Sequence, residues 1–416
     1  MPRTNCKQNK TKQAIAQQSM GLFDMDEIVL GKLLGSGGFS DVYEIRAFRL
    51  NSSRDSRYTE PQRAARQFLK KSARRLAYGG SRYVIKFLQP SLIENTQRFE
   101  IAAADLANEA DMMRAVNHPN ILKMRGFAAG GVEAYGYSGR HDSYFLILDR
   151  LQHTLHDEID NWERQAHRCK NILWEELLDK RGNKKRELLV ERLRVAHGIA
   201  SALEHMHGRG LIYRDLKPGN IGFDSHGEVK VFDLGLARSI PTDEGSLDGG
   251  YEMSGKAGTL RYMAPEVFLK LPYNSKADVY SFGHVLWEML SFEKPYETYT
   301  RKQHREKVVF ADKRPPIFKA WPLAVRELLA DSWQPDKKKR PTMQQVRRTL
   351  EDEIVRLGGG EFPGMEAANR WSIQGKAAEE AVAKMLLPKE PAKNATIVQQ
   401  PKMPKVERKS FTSRAA

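Results

Sequence analysis

Short apolar runs of strand length dominate the first third of the chain. Residues 28–30 and 41–45 are two such runs, and they flank a stretch of glycines and serines, the residues that tight turns prefer. Further apolar runs at 83–88 and 145–148 have the length of buried strands. The pattern predicts a small N-terminal part that is built mainly of strands.

Apolar residues recur at helical spacing over most of the remaining chain. One helix is predicted at 99–116, and a long amphipathic helix is predicted at 186–207. Three more helices are predicted at 276–291, 322–333 and 343–356. A strand-rich part followed by a larger helical part places the chain in the α+β class.

Three segments interrupt this pattern. The first, residues 46–82, is long for a connection between strands and carries eleven basic and two acidic side chains. We expect this basic insert to loop out of the fold, exposed and mobile, with one short basic helix at 62–77. The other two segments are a Gly-rich stretch at 128–143 and an insert at about 157–186.

The composition is that of a globular chain with polar ends. Hydrophobic residues make up 40% of the 416 residues, and no run approaches the ~20 apolar residues that cross a bilayer. Residues 1–25 and 357–416 are predicted to be disordered basic tails, and an organelle-targeting segment at the N-terminus stays an open alternative. Only Cys6 and Cys169 can oxidise, which favours a reducing compartment, the cytoplasm or the nucleus.

The net charge of +16 is concentrated in three segments. Residues 1–23, 46–82 and 388–416 have net charges of +4, +9 and +5, so the rest of the chain is close to neutral. A folded surface for specific nucleic-acid binding is therefore not predicted. An acidic partner for the basic insert or the tails is one interpretation of this charge, and a surface loop with no partner is the other.

The glycine-rich turn has the composition of a phosphate-binding loop. Glycines let backbone amides approach phosphates because no Cβ stands in the way. A strand follows the glycines, whereas a dinucleotide-binding fold would place a helix there, and hairpin turns without any ligand have similar sequences. The predicted phosphate-binding residues are Gly35, Ser36, Gly37, Gly38, Phe39, Ser40 and Val42.

Lys86 lies on the apolar strand predicted at 83–88. It is either an edge-strand lysine with its ammonium group in water or the residue that reaches the α- and β-phosphates of a nucleotide. Glu109, on the helix predicted at 99–116, is the carboxylate that we expect to pair with it.

The segment YRDLKPGN, residues 213–220, contains three polar side chains with distinct chemical roles. Asp215 would orient an acceptor hydroxyl and accept its proton, and Lys217 would neutralise the transferring phosphate. Asn220 would bind Mg²⁺, and Asp233, at the end of an apolar strand, would be the main Mg²⁺ ligand. A loop cap is the alternative role for Asp215, but the group as a whole indicates phosphoryl transfer.

Seven motifs, in this order along the chain, resemble the signature set of eukaryotic-type protein kinases over residues 27–356. The motifs are GSGGFSDV, YVIK, YRDLKPGN, DLG, GTLRYMAPE, DVYSFG and KRPT. The resemblance implies a bilobal fold, with a small β-rich N-lobe at 26–150 and a larger α-helical C-lobe at 151–356. It also implies ATP and Mg²⁺ as cofactors and proteins as substrates.

The same resemblance implies roles for residues outside the catalytic cluster. Asp278 would buttress the catalytic loop, and Arg340 would pair with Glu266. Gly222 stands where a leucine commonly forms the floor under adenine, which predicts a modest nucleotide affinity. The further nucleotide contacts implied in this way are Val84, Asp149 and Leu151.

Two motifs favour serine or threonine over tyrosine as the acceptor. Lys217 and the sequence GTLRYMAPE have the serine/threonine form, and SWQPDKKKRPTM resembles the tyrosine-kinase-like and MAP-kinase-kinase-kinase groups. A pseudokinase scaffold and a dual-specificity kinase stay open as alternatives.

Phosphorylation of Ser246 or Ser254 is expected to control activity through an interaction with Arg214, unless nearby carboxylates already pair with this arginine.

Overall fold

The computed structural model describes residues 20–73, 80–170, 183–240 and 258–360. The N-lobe strands are β1 (Gly21–Phe23), β2 (Ile28–Ser36), β3 (Ser40–Phe48), β4 (Tyr83–Leu88), β5 (Met124–Ala128) and β6 (Phe145–Asp149). The N-lobe helices are α1 (Glu60–Ser72), α2 (Thr96–Ala115) and α3 (Ala134–Ser138). All six strands form one sheet in the order β1-β5-β6-β4-β3-β2, with β1 parallel to β5 and the other neighbours antiparallel.

The C-lobe is mainly helical and is built around one buried helix. Its helices are α4 (Leu155–Lys170), α5 (Asn183–His207), α6 (Pro265–Phe268), α7 (Lys276–Ser291), α8 (Arg301–Gln303), α9 (Leu323–Ser332) and α10 (Met343–Arg356). Its strands are β7 (His153–Thr154), β8 (Leu211–Ile212), β9 (Ile221–Phe223), β10 (Val229–Val231) and β11 (Arg238–Ser239). Residues 277–290 of α7 are all buried, so the surrounding elements pack on this helix. Among the described helices, none is long and apolar enough to cross a membrane.

The predicted α+β bilobal fold is confirmed, and several elements have the predicted bounds. The predictions at 276–291 and 343–356 coincide with α7 and α10. Helix α10 starts at a capping box, in which Gln345 N–H donates to Thr342 Oγ1 (3.2 Å) and Thr342 N–H donates to Gln345 Oε1 (2.8 Å). Such local signals explain why these boundaries could be read from the sequence.

The predicted insert at about 157–186 is wrong in its first half. Residues up to Lys170 belong to α4, and residues 183–186 belong to α5, while residues 171–182 lie outside the described part. Trp162 is fully buried, and its Nε1–H donates to Glu191 Oε1 of α5 (3.0 Å). The first half of this segment is therefore part of the C-lobe core.

The predicted N-terminal tail, residues 1–25, extends too far along the chain. Residues 21–23 form β1, which pairs in parallel with residues 126–128 of β5. Phe23 is fully buried, with its ring centroid 5.0 Å from that of Phe48. Residues 1–19 and 361–416, which hold most of both predicted tails, lie outside the described residues.

The prediction that the basic insert loops out of the fold is also wrong for its described residues, 46–73 and 80–82. The helix predicted at 62–77 is present as α1, but it packs on the sheet through buried side chains. Ser72 Oγ lies 2.7 Å from the hydroxyl of Tyr83, which ties the end of α1 to the start of β4. Between residues 51 and 73 the buried side chains are Tyr58, Ala65, Arg66, Leu69 and Ala73.

A buried ion pair joins α1 to the segment between β1 and β2. Arg66 donates two hydrogen bonds to Glu27, from Nη1 to Oε2 (2.9 Å) and from Nη2 to Oε1 (2.7 Å). Both side chains are only 1% exposed. The guanidinium of Arg66 also lies 4.1 Å from the ring centroid of Tyr58 and 5.0 Å from that of Phe23. The most basic segment of the chain is thus docked by one of its own arginines.

Candidate active site

Asp215 is the centre of a hydrogen-bonded cluster on the loop between β8 and β9. Lys217 Nζ donates to its Oδ2 (2.7 Å), and Asn220 Nδ2 donates to the same oxygen (2.9 Å) and to the Asp215 carbonyl (3.0 Å). Thr259 donates to Oδ1 from both its backbone N–H (2.9 Å) and its hydroxyl (3.0 Å). These bonds hold the carboxylate in one orientation, as a group that must receive a proton requires.

The loop that carries Asp215 is held in place by hydrogen bonds to α7. Asp278, only 1% exposed, accepts the backbone N–H of Tyr213 (2.9 Å) and of Arg214 (2.8 Å), and its Oδ2 lies 2.8 Å from His207 Nε2. Arg214 has a φ of +77°, which is strained for a residue with a side chain. The bonds from Asp278 stabilise this unusual backbone, in agreement with the buttressing role that the resemblance implies.

Lys86 lies between two carboxylates from different parts of the chain. Its Nζ donates to Glu109 Oε2 of α2 (2.6 Å) and to Asp233 Oδ1 (3.1 Å). Burial by itself would lower the pKa of Lys86, but the charges of Glu109 and Asp233 outweigh it and raise the pKa above its usual value. The charge of Lys86 lowers the pKa of Asp233, so both groups are ionised near neutral pH. The expected pair with Glu109 is present.

Two further contacts position Asp233, and the sequence did not predict them. Asn108 Nδ2 donates to the carbonyl of Gly235 (2.8 Å), which links α2 to the turn after Asp233. The Tyr213 hydroxyl donates to the carbonyl of Phe232 (2.5 Å), directly before Asp233. Their sequence neighbours Glu109 and Arg214 were recognised, but nothing in the sequence indicates these long-range backbone acceptors.

The glycine-rich turn is closed by a bond of its own and by bonds from Gln89, the residue directly after β4. The Gly37 N–H donates to the carbonyl of Ser40 (2.8 Å), and the Gln89 N–H donates to the carbonyl of Phe39 (2.9 Å). Gln89 Nε2 donates to Ser36 Oγ (2.8 Å) and to the carbonyl of Gly37 (2.9 Å). Gln89 is a further residue that sequence reasoning missed, and it ties the turn to the end of the strand that carries Lys86.

The other predicted residues of the turn lie beside Lys86. Val42 is directly opposite Lys86 in the antiparallel pair β3-β4. A Cβ added at Gly35 or Gly38 would meet no described atom within 4 Å, whereas Phe39 is 38% exposed at the tip of the turn. The structure therefore places an open glycine backbone next to the candidate phosphate-binding lysine.

Of the further predicted nucleotide contacts, Asp149 and Leu151 belong to the connection between the lobes, residues 149–151, and Val84 lies on β4. Asp149 is engaged by Arg125, which donates from Nε to Oδ1 (2.9 Å) and from Nη2 to Oδ2 (2.7 Å), so its side-chain oxygens already have a partner. Val84 is buried on β4, opposite Leu148 of β6. Leu151 is half-buried and is the last residue of the connection.

Gly222 lies under Leu151 on β9. A Cβ at Gly222 would come within 2.8 Å of Leu151 Cδ1, 3.1 Å of the His153 carbonyl oxygen and 3.4 Å of the Phe232 ring. The space that a larger residue at position 222 would take is therefore filled by Leu151 and Phe232. Leu151 and Phe232 therefore stand where the resemblance expects a single larger residue at position 222.

Arg340 and Glu266 form the ion pair that the resemblance implies. Arg340 donates from Nη1 to Oε1 (2.6 Å) and from Nη2 to Oε2 (2.9 Å), and its side chain is fully buried. Ser246 and Ser254, the predicted phosphorylation sites, lie outside the described residues. Arg214, which was predicted to respond to them, is 8% exposed with its guanidinium 5.8 Å from the ring centroid of Tyr273.

A sequence profile described as a protein kinase domain matches residues 75–350. The match covers the catalytic cluster and begins inside the basic insert, so the glycine-rich turn lies before it. The described structure nevertheless joins that turn to the same sheet as Lys86.

Individual relatives support the same family. The chain is 36% identical over 187 residues to serine/threonine-protein kinase STY17 of Arabidopsis thaliana, which covers 43% of this chain and 32% of that protein. It is 36% identical over 168 residues to serine/threonine/tyrosine-protein kinase HT1 of Arabidopsis thaliana (40% and 41%). It is 32% identical over 266 residues to dual specificity protein kinase shkE of Dictyostelium discoideum (64% and 32%). The chain thus spans less than half the length of each of these curated relatives.

Proposed function

This chain belongs to the protein kinase domain family, and from that premise we propose that it is an ATP-dependent serine/threonine protein kinase. The observation that carries the proposal is the carboxylate of Asp215, fixed by Lys217, Asn220 and Thr259. A pseudokinase scaffold is less well supported, because the pair formed by Lys86 and its carboxylate partners is also intact.

In this proposal each group has one task. Asp215 accepts a hydrogen bond, and then the proton, from the acceptor hydroxyl, while the adjacent Lys217 offsets the charge of the phosphoryl group. Lys86, oriented by Glu109, holds the nucleotide phosphates. The residues are thus assigned to positioning and charge stabilisation, which are the main requirements of phosphoryl transfer.

The residues proposed to hold Mg²⁺ have suitable donor atoms. Asn220 uses its amide nitrogen on Asp215, which leaves its carbonyl oxygen for a metal. The Asp233 side chain is 43% exposed and ionised, and hard cations prefer such oxygens. When bound, Mg²⁺ would neutralise the charge of the phosphate oxygens.

The acceptor type and the cellular setting are also proposals. Names of relatives such as STY17 support serine and threonine, whereas those of HT1 and shkE favour dual specificity as the second candidate. Incubation with labelled ATP and generic protein substrates, followed by phospho-amino-acid analysis, tests the acceptor type directly, because phosphotyrosine would select the second candidate.

A cytoplasmic or nuclear location is supported by the low cysteine content of the chain. The exposed residues Lys70 and Lys71 are the candidate contacts for an acidic partner.

Replacing Lys86 by methionine is expected to lower kcat/KM by about 10- to 150-fold. This estimate corresponds to the loss of one hydrogen bond between charged groups, about 1.5–3 kcal/mol. Steady-state kinetics with ATP as the varied substrate measures the loss, and circular dichroism checks the fold. Neutralising Lys70 and Lys71, both exposed on α1, is the control, and it should change kcat/KM little. Equal losses in the two variants would contradict the role of Lys86.

Replacing Gly222 by leucine is expected to raise the KM for ATP, because the new side chain must displace Leu151, one of the predicted nucleotide contacts. Overpacking of this kind costs about 1–3 kcal/mol, so an increase of roughly fivefold or more is expected. The additional change Leu151→Ala should restore the KM because it vacates the contested space. A Gly222→Leu enzyme with an unchanged or lower KM would show that position 222 has room for a floor residue.

A further inference from the structure

The end of the basic insert contacts the connection between the lobes. The Arg150 N–H donates to the carbonyl of Arg82 (2.9 Å), and Arg150 Nη1 donates to Glu44 Oε1 of β3 (3.1 Å). The Ser81 N–H donates to the same carboxylate oxygen (2.8 Å). One oxygen of Glu44 therefore holds both the last residues of the insert and the connection that leads into the C-lobe.

Gly80 leaves room for this contact because it has no side chain. Its φ is +120°, a conformation that side chains rarely adopt. A Cβ at this position would lie 2.5 Å from Arg150 Nη1 and 3.2 Å from Arg150 Cζ. The guanidinium thus occupies the space that a side chain at position 80 would need, and glycine is required both for the backbone and for the packing.

The opposite side of the connection is fixed independently. Asp149 is held by two hydrogen bonds from Arg125, and its N–H donates to the carbonyl of Lys123 (3.1 Å). These partners come from β5 and the residue before it, whereas Glu44, Gly80, Ser81 and Arg82 lie on β3 or at the end of the insert. The connection is therefore clamped between two groups of residues, and one of them belongs to the insert.

We propose that Glu44, Gly80 and Arg150 form a brace by which the docked insert positions the lobe connection for nucleotide binding. The inference rests on the proposed function, because it assigns residues 149–151 to the nucleotide-binding cleft. Glu44 and Arg150 are positioning residues in this proposal, since they act through the backbone of the connection. The insert, predicted to loop out of the fold, becomes in this proposal a structural part of the nucleotide site.

The electrostatics of the brace are consistent with a bond that persists near neutral pH. The side chains of Glu44 and Arg150 are 14% and 17% exposed, so water screens their interaction less than that of a surface pair. The hydrogen bond from Ser81 and the charge of Arg150 lower the pKa of Glu44, despite the opposing effect of burial. Glu44 therefore remains ionised and keeps both of its donors.

The decisive variant is Gly80→Ala, because its Cβ would displace the Arg150 guanidinium without removing any charged group. Gly139→Ala is the matched control, since Gly139 also has a positive φ (+66°) in the N-lobe but has open space around it. The full chain is titrated with MgATP by calorimetry, and KM and kcat are measured with a generic peptide. Gly80→Ala is expected to weaken ATP binding roughly threefold to tenfold and to leave kcat unchanged, whereas the control changes neither.

A double-mutant cycle tests the brace without altering the backbone. Glu44→Gln and Arg150→Met should each raise the dissociation constant for ATP, and the double variant should be no weaker than the worse single variant. Additive effects, or equal affinities in Gly80→Ala and Gly139→Ala, would overturn the brace while the unaltered chain still binds ATP and phosphorylates the peptide. Absence of ATP binding by the unaltered chain would overturn the proposed function, and the brace with it.

Discussion

Replacing Asp215 by asparagine is expected to lower kcat by about 10²- to 10⁴-fold, the usual contribution of a positioned general base. Asparagine has nearly the same shape and can still accept from Thr259, so the loop should keep its conformation. It cannot accept the proton of the acceptor hydroxyl, and it no longer offsets the charge of Lys217. The loss should therefore appear in kcat, with little change in the affinity for ATP.

The measurement combines steady-state kinetics with calorimetric titration of MgATP. Asp352→Asn, which alters an exposed aspartate on α10, is the control for the chemical change itself. Near-full activity of the Asp215→Asn chain would refute the catalytic assignment. A loss confined to ATP binding would assign Asp215 to the nucleotide site instead of the acceptor site.

Replacing Arg66 by alanine is expected to lower the free energy of unfolding by about 3–5 kcal/mol, as the removal of one partner from a buried ion pair does. Glu27 would stay buried with its charge no longer compensated, because its two bonds from Arg66 would be lost. The rings of Tyr58 and Phe23 would also lose their contact with the guanidinium. Urea unfolding followed by circular dichroism measures this change.

Two further variants are the controls for the Arg66→Ala measurement. Arg57→Ala removes an exposed arginine from the same segment and should change the stability by no more than about 0.5 kcal/mol. The combination Glu27→Gln with Arg66→Met should be less destabilising than Arg66→Ala, since no charge is left buried. If Arg57→Ala and Arg66→Ala were equally mild, the insert would be a detached loop, as its composition first indicated.

The docked insert changes how far the folded domain extends. The family profile begins at residue 75, but β1, β2, β3 and α1 precede that position and share one sheet or pack on it. A shortened chain that starts near residue 75 would lose the glycine-rich turn and the partner strand of β4. We therefore expect the smallest stable and active unit to begin close to residue 20.

The candidate site was predictable to the extent that its residues lie in short contiguous motifs. Asp215, Lys217 and Asn220 are close in sequence, so residue type and spacing already indicate their joint role. Lys86 and Glu109 could be paired because each stands on an element with a clear apolar pattern. Gln89 and Asn108 were missed because each acts on backbone carbonyls far along the chain, and no residue type marks such an acceptor.

The sequence by itself determined the fold class, the helices with strong periodicity and the members of the catalytic cluster, because these depend on local spacing and residue chemistry. Only the tertiary structure decided that the basic insert packs on the sheet and that β1 is part of that sheet. The apolar stripe of Ala65 and Leu69 on α1, continued by Ala73 directly after the helix, is short, and its burial depends on Glu27 and on a sheet assembled from distant strands. A high positive charge predicts exposure on average, but one arginine that finds a buried carboxylate reverses that prediction for the whole segment.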